Sequence, residues 1–358
     1  MEFDEFTAGE NDSGRRLDRV LKIMLRDFEG VNMFSALRKK LILVNGRKAE
    51  ASYKVNCGDK IKIASFLLEK SPESKALDDK QQEFGTKFSL DEATVFKNGS
   101  VMVINKPYGI NVQPSFSSET SLSEIVAREC KKGPSLSFTP SPLHRLDRFT
   151  TGALVFSLSI DGARIFSQMM QEGLVRKTYL GIVQGLMDRE FEWTDGIVEE
   201  KSSDTASFHK VKVVGLDEKD SSGDRAKDRA KDRAKDWAKD WAKGDWAIAS
   251  VIAVTKAFPL AVGSWNGKEV TLVKFEIPTG RKHQIRAQSA FHGFPLLGDR
   301  AYGGTRISGH EFYLHAVQIE FPSGNNLLLP PKIYVPLPPE FLNFLNSALI
   351  NWKGQLII

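Results

Sequence analysis

Asp147 stands between two arginines in the run Leu143-His144-Arg145-Leu146-Asp147-Arg148, just ahead of Thr150-Thr151-Gly152 and the apolar residues 153–156. A carboxylate flanked by cations stays ionised, which suits a nucleophile and not a general acid. A structural aspartate in an ion pair or at a helix N-cap accounts for the same residues equally well. The run Lys177-Thr178-Tyr179-Leu180-Gly181-Ile182-Val183 alternates as a strand does, with Lys177 and Tyr179 on one face. A tyrosine there can stack on a flat ring and pass a proton, and an ordinary core tyrosine is the plain alternative. The third cluster is Thr279-Gly280-Arg281-Lys282-His283-Gln284-Ile285-Arg286. If it is extended, Arg281 and His283 share one face and Lys282, Gln284 and Arg286 the other. Both arginines then reach one cleft only if a bulge or bend intervenes. No other histidine lies at zinc-motif spacing to His283, so no metal is expected.

Positioning these groups takes a chain of 358 residues with 41% hydrophobic and 27% charged content, enough for about two domains. The two cysteines, Cys57 and Cys130, form no disulfide framework or zinc pattern, and a reducing compartment fits. The acidic start Met1-Glu2-Phe3-Asp4-Glu5 lacks a basic and apolar leader, and no apolar run is long enough to span a bilayer. A cytoplasmic protein without a membrane partner is expected.

The net charge of +5 is uneven: residues 15–62 hold thirteen Lys/Arg against five Asp/Glu, a net of +8. A polyanion would bind there first. In that segment Leu17, Val20, Leu21 and Met24 recur at helical spacing, and a second helix is expected over residues 33–40. Strands at 41–44 and 60–63, with the turn pair Asn45-Gly46, complete a helix and hairpin module. A polar stretch over 67–91 reads as a linker. A second domain opens at Val101-Met102-Val103-Ile104, a strand running into the turn Asn105-Lys106-Pro107-Tyr108-Gly109. Residues 224–243 are five tetrapeptides, three Asp-Arg-Ala-Lys and two Asp-Trp-Ala-Lys. A four-residue period overshoots a helical turn by about 40° per repeat and makes no lasting core face, so a solvated insertion is expected over 217–245.

Two resemblances organise these pieces. Arg16-Leu17-Asp18, Val44-Asn45-Gly46 and Gly58-Asp59-Lys60-Ile61 make residues 13–66 resemble an S4 RNA-binding domain. A helix face with Arg38, Lys39 and Lys40 would then meet RNA phosphates. His144-Arg145-Leu146-Asp147 with Thr150-Thr151-Gly152, Lys177-Thr178-Tyr179, Thr279 to Arg286, Gly298-Asp299, Tyr302-Gly303 and Leu314-His315-Ala316 resemble the RluA-type pseudouridine synthases. The likeness runs over most of residues 92–350, which would form the catalytic domain. It departs at the repeat, and at Gln288, where the family usually has histidine.

The resemblance implies an α+β fold: a small S4-like helix and hairpin domain, then a mixed, mostly antiparallel sheet flanked by helices. It implies isomerisation of uridine in structured RNA, large-subunit ribosomal RNA foremost and transfer RNA as the alternative, with no cofactor needed; a monomer is the default expectation. Asp147 would be the nucleophile, Tyr179 the base-stacking proton carrier, and Arg286 the cation paired with Asp147, with Arg281 as second choice. His144, Arg145, Arg281 and Leu314 would contact substrate: Arg145 fills the space left by the flipped base and Leu314 walls the base pocket.

Overall fold

The computed structural model describes residues 1–26, 28, 31–69, 88–114, 120–130, 135–199, 210–215 and 251–348. The repeat at 224–243, the insertion around it and most of the 67–91 linker lie outside the described residues. Two compact units emerge. One joins Met1–Arg148, Leu154–Met170 and Asn325–Leu328; the other joins Phe149–Ala153, Gln171–Gly324 and Leu329–Ile358.

The first unit begins with β1 (Phe3–Thr7), α1 (Leu17–Met24), α2 (Met33–Arg38), β2 (Ile42–Val44) and β3 (Lys60–Ala64). The stripe Leu17, Val20 and Leu21 is fully buried and packs with Ile42, Val44, Ile61 and Ile63. Removing such side chains from water stabilises the module by about 1.5–3 kcal/mol each. Asn45 and Gly46 both take the left-handed conformation of a tight turn (φ 49° and 74°). The Asn45 side chain accepts from the Lys60 amide at 2.9 Å and donates to Asp59 at 2.8 Å, tying the turn to β3.

Two expectations change here. The acidic N-terminal residues form β1, which pairs antiparallel with β3 in a three-stranded sheet ordered β1-β3-β2. Glu5 bridges Lys60 at 2.9 Å and Lys62 at 3.3 Å, a cross-strand charge match that the sequence separation hides. Secondly, Arg38, Lys39 and Lys40 do not line a helix face. Arg38 ends α2, Lys39 caps it and Lys40 is left-handed (φ 61°), so three exposed cations cluster at the helix C-terminus, where the dipole favours them.

The unit continues through α3 (Leu90–Ala93), β4 (Thr94–Lys97), β5 (Val101–Lys106), α4 (Leu122–Glu129), β6 (Ser141–Pro142), β7 (Thr151–Ser157) and α5 (Ile160–Gln171). α4 starts from a capping box between Ser121 and Glu124. Asp12 fastens the N-terminal module to the stretch after α4. Its fully buried carboxylate accepts from the amides of Gly9, Leu136 and Ser137 and from the hydroxyls of Ser135 and Ser137, at 2.5–3.0 Å.

The second unit contributes β8 (Arg176–Gln184), β9 (Phe191–Glu199), β10 (Val211–Gly215), β11 (Val251–Trp265), β12 (Lys268–Ile277), α6 (Gln284–Phe291), β13 (Leu314–Glu320), β14 (Lys332–Tyr334) and α7 (Pro339–Ser347). Its strands order as β10-β9-β11-β12-β8-β13, antiparallel throughout, with β14 on β13. Thr151 and Gly152 of β7 add a parallel pairing to β13, so the sheet is mixed and mostly antiparallel, as expected. Leu180 and Ile182 of the central strand β8 pack with Phe341 and Phe344 of α7. By strand alternation Lys177 and Tyr179 then lie on the opposite face. Among the described residues no helix is long and apolar enough to cross a membrane.

Candidate active site

The Asp147 loop joins β6 to β7. Leu146 is buried, Asp147 and Arg148 are half-buried, and Arg145 is exposed. The loop is held by the turn that follows β5. Lys106, wholly buried, donates to the carbonyls of Pro107 at 2.9 Å and Arg148 at 2.7 Å. Gly109, in the left-handed conformation at φ 84°, donates its amide to the Arg148 carbonyl at 3.1 Å. Arg148 Nε donates in return to the Gly109 carbonyl at 2.8 Å. Arg148, next to Asp147, is therefore fastened to this turn by three hydrogen bonds. Burial pulls the Lys106 ammonium down to about 7, Asp147 opposes that as the nearby negative charge, and Arg148 adds to it.

His144 is engaged with β7 and α5. Its Nε2 accepts the Val155 amide at 3.2 Å and its ring stacks on Phe166 at 6.3 Å, so it braces β7.

Two motifs interlock in the second unit. Thr151 Oγ1 and His315 Nδ1 are 2.8 Å apart, while His315 Nε2 meets the Val335 carbonyl at 3.2 Å. A carbonyl only accepts, so Nε2 carries the proton and the Thr151 hydroxyl donates to Nδ1. Burial holds His315 down at about 4, against the Val335 hydrogen bond, and keeps the ring neutral at physiological pH. Gly152, at φ 107°, lets the strands approach so closely that a Cβ would stand 2.3 Å from the Ala316 carbonyl oxygen. The Thr-Thr-Gly and Leu-His-Ala motifs are thus two halves of one strand contact.

The third cluster is not extended. Residues 281–283 turn, His283 takes a left-handed conformation (φ 52°), and Gln284 begins α6. The rule separating Arg281 from Arg286 by strand face does not apply; they part because Arg286 is buried in a helix and Arg281 is exposed in the turn. Arg286 forms a two-point ion pair with Asp299, Nε to Oδ2 at 2.6 Å and Nη2 to Oδ1 at 2.9 Å. Its guanidinium lies 4.4 Å from the Phe312 ring and 5.1 Å from that of Tyr302. A fork held by a carboxylate and two rings has no rotamer freedom left to lose. Arg281 donates its Nε to the Ile252 carbonyl at 3.2 Å. His283 Nδ1 lies 2.9 Å from the Tyr302 hydroxyl, a structural contact.

Gln284 accepts from Thr279 and from the Arg281 amide and donates to Thr255, which in turn donates to Gln288 at 2.7 Å. Gln288 donates to the buried Asp195 at 2.6 Å, so the glutamine that departs from the family pattern is fully employed.

Tyr179 is 5% exposed, with Phe275 and Ala316 opposite it on β12 and β13. Leu314, also buried, contacts the space over Gly181. Arg38, Lys39 and Lys40 belong to the N-terminal module and to neither cluster. Among the described residues no group of three His, Cys, Asp or Glu is placed to hold a metal ion. Sequence reasoning missed Lys106 and gave no task to Asp299, Thr151 or His315. The signal for Lys106 was a lysine closing an otherwise apolar strand, Val101-Met102-Val103-Ile104-Asn105-Lys106, directly before Pro-Tyr-Gly.

The chain is 26% identical over 321 residues to the ribosomal large subunit pseudouridine synthase C of Rickettsia conorii, covering 89% of this chain and 90% of that protein. It is 25% identical over 358 residues to the uncharacterized RNA pseudouridine synthase YlyB of Bacillus subtilis, covering 97% and 98%. Its fold resembles human RNA pseudouridylate synthase domain containing 4, with a TM-score of 0.52 at 20% identity over 73% of this chain and 95% of that one. Residues 100–291, more than half of the chain, match the sequence profile described as RNA pseudouridylate synthase, and the chain belongs to that family.

Proposed function

We propose that this enzyme converts specific uridines of large-subunit ribosomal RNA to pseudouridine, as a cytoplasmic monomer and without a cofactor. The bond from ribose C1′ to uracil N1 breaks, the base turns, and C1′ rejoins at C5. C5 loses its proton and N1 gains one, so the reaction consumes neither water nor redox equivalents. Asp147 is the nucleophile, at C1′ or at uracil C6. Tyr179 stacks on the uracil and moves the C5 proton. Arg286 is the cation assigned to the nucleophile and Leu314 walls the base. Arg145, exposed next to the loop, fills the gap left by the flipped base, and Arg281 is a further substrate contact and the second choice for pairing with Asp147. The ribosomal substrate is supported by the name of the Rickettsia relative. Residues 13–66 act in this reading as an S4-like RNA-binding module, supported by their positive charge and by the exposed Arg38, Lys39 and Lys40.

The observation that carries the reading is the Asp147 loop: a half-buried carboxylate whose adjacent backbone is fixed by Lys106, Gly109 and Arg148. A nucleophile needs that combination of reachable oxygen and immobile main chain. Unmodified large-subunit ribosomal RNA transcribed with tritium at uridine C5 tests it, because rejoining at C5 releases the tritium to water. The wild type is expected to release tritium, and Asp147→Asn to release none while binding the transcript normally. Release by Asp147→Asn at the wild-type rate would overturn the assignment.

A further inference from the structure

Lys177 is a buried cation to which the described residues offer no counter-charge. It is 6% exposed on β8, on the face it shares with Tyr179. Its ammonium rests against the turn at Gly280, where a Cβ would stand 2.7 Å from Nζ. The next residue in that turn is a second cation, the exposed Arg281, whose Nε donates to the Ile252 carbonyl at 3.2 Å.

Among the described residues, the strands on either side supply nothing negative to this face. Ile277 of β12 and Ile319 of β13 stand in register with Lys177. The carboxylates one step along belong to the other face: Glu276 is opposite Thr178 and binds Lys274 at 2.8 Å, and Glu320 is opposite Arg176 and lies 3.8 Å from Lys332. Lys282, beside Arg281, faces Glu199 at 3.7 Å. Among the described residues neither Lys177 nor Arg281 has a carboxylate partner. Burial, with Arg281 adding to it, pulls the Lys177 ammonium down to about 8.

Burying a cation beside another cation costs stability unless an anion arrives to pair with both. Two residues along a strand span roughly 6.6 Å, the distance from Tyr179 to Lys177 along β8. An anion held by Lys177 and Arg281 therefore lies one nucleotide's reach from a base on Tyr179. We propose that Lys177 and Arg281 form a subsite for one RNA backbone phosphate, that of the nucleotide whose base Tyr179 receives. This rests on the base-binding role given to Tyr179 above. The subsite explains the glycine at 280, since any side chain there would displace the ammonium. It also gives Arg281 a task other than pairing with Asp147.

The test is binding of the full-length protein to an unmodified large-subunit ribosomal RNA transcript as a function of salt. Neutralising one single-strand phosphate contact lowers the slope of log affinity against log salt by about 0.7. Lys177→Gln with Arg281→Gln is expected to show that loss, and Lys177→Arg to retain the wild-type slope. A melting curve separates this role from a structural one. Lys177→Met should melt no lower than the wild type, because it removes an unpaired buried charge. An unchanged slope in the double variant and in Arg281→Gln alone would overturn the subsite, as would a large fall in melting temperature for Lys177→Met. Tritium release on the same transcript tells the two failures apart. No release by the wild type with the slope loss intact sinks the functional reading and leaves a phosphate subsite; release with an unchanged slope sinks the subsite alone.

Discussion

At the residue scale the site depends on groups that hold other groups. Lys106 is wholly buried and spends its protons on two backbone carbonyls, one of them belonging to Arg148, next to Asp147. Its ammonium is pulled from 10.5 to about 7 by burial. Between those values the unfolded chain holds a proton that the folded protein does not, so stability rises as pH climbs through that window. Lys106→Met removes the effect. The pH dependence of the urea midpoint, measured from pH 7 to 10 on both proteins, should show the wild type gaining on the variant; parallel curves would contradict the assignment. The motif residues Asp147, Tyr179 and Arg286 stood out in the sequence through the family resemblance that their motifs carry together, not through any one residue's type or spacing. Lys106 was not, since a lysine at a strand end is ordinarily solvated. Nor was the pairing of Thr151 with His315, because 164 residues separate them and only the parallel contact of β7 with β13 brings them together.

At the scale of elements, periodicity served where one face is apolar. The stripe of α1 and the alternation of β8 were readable on that ground. It failed for α6, which buries Gln284, Arg286, Gln288 and Ser289; a helix whose inner face is polar presents no apolar stripe. β1 was missed for a related reason: its acidic residues are neutralised by Lys60 and Lys62 on a strand more than fifty residues away. Asp12 is the element-scale counterpart of Lys106. Removing its carboxylate leaves five donors on two segments without their acceptor. Asp12→Ala should cost roughly 3 kcal/mol in the unfolding free energy and speed proteolysis near residues 135–137. A variant as stable as the wild type, with unchanged cleavage there, would show that the anchor contributes nothing.

At the scale of the whole molecule, charge and chemistry are separated along the sequence. Residues 15–62 hold a net +8 while the remainder of the chain is slightly acidic, and the proposed catalytic motifs lie outside that basic segment. If the N-terminal module carries RNA affinity, Lys39→Glu with Lys40→Glu should weaken binding of a large-subunit transcript at least tenfold at moderate salt and flatten its salt dependence. Turnover at saturating RNA should stay near the wild-type value. Lost turnover with intact affinity would assign those lysines elsewhere. The central claim, that this chain makes pseudouridine in ribosomal RNA through Asp147, is tested most directly by mapping reverse-transcriptase stops after carbodiimide treatment. Total RNA would be compared from cells with the gene intact, deleted, or restored with wild type or Asp147→Asn. Stops in large-subunit ribosomal RNA should vanish on deletion and return only with the unaltered protein. Stops that survive deletion, or that Asp147→Asn restores, would contradict it.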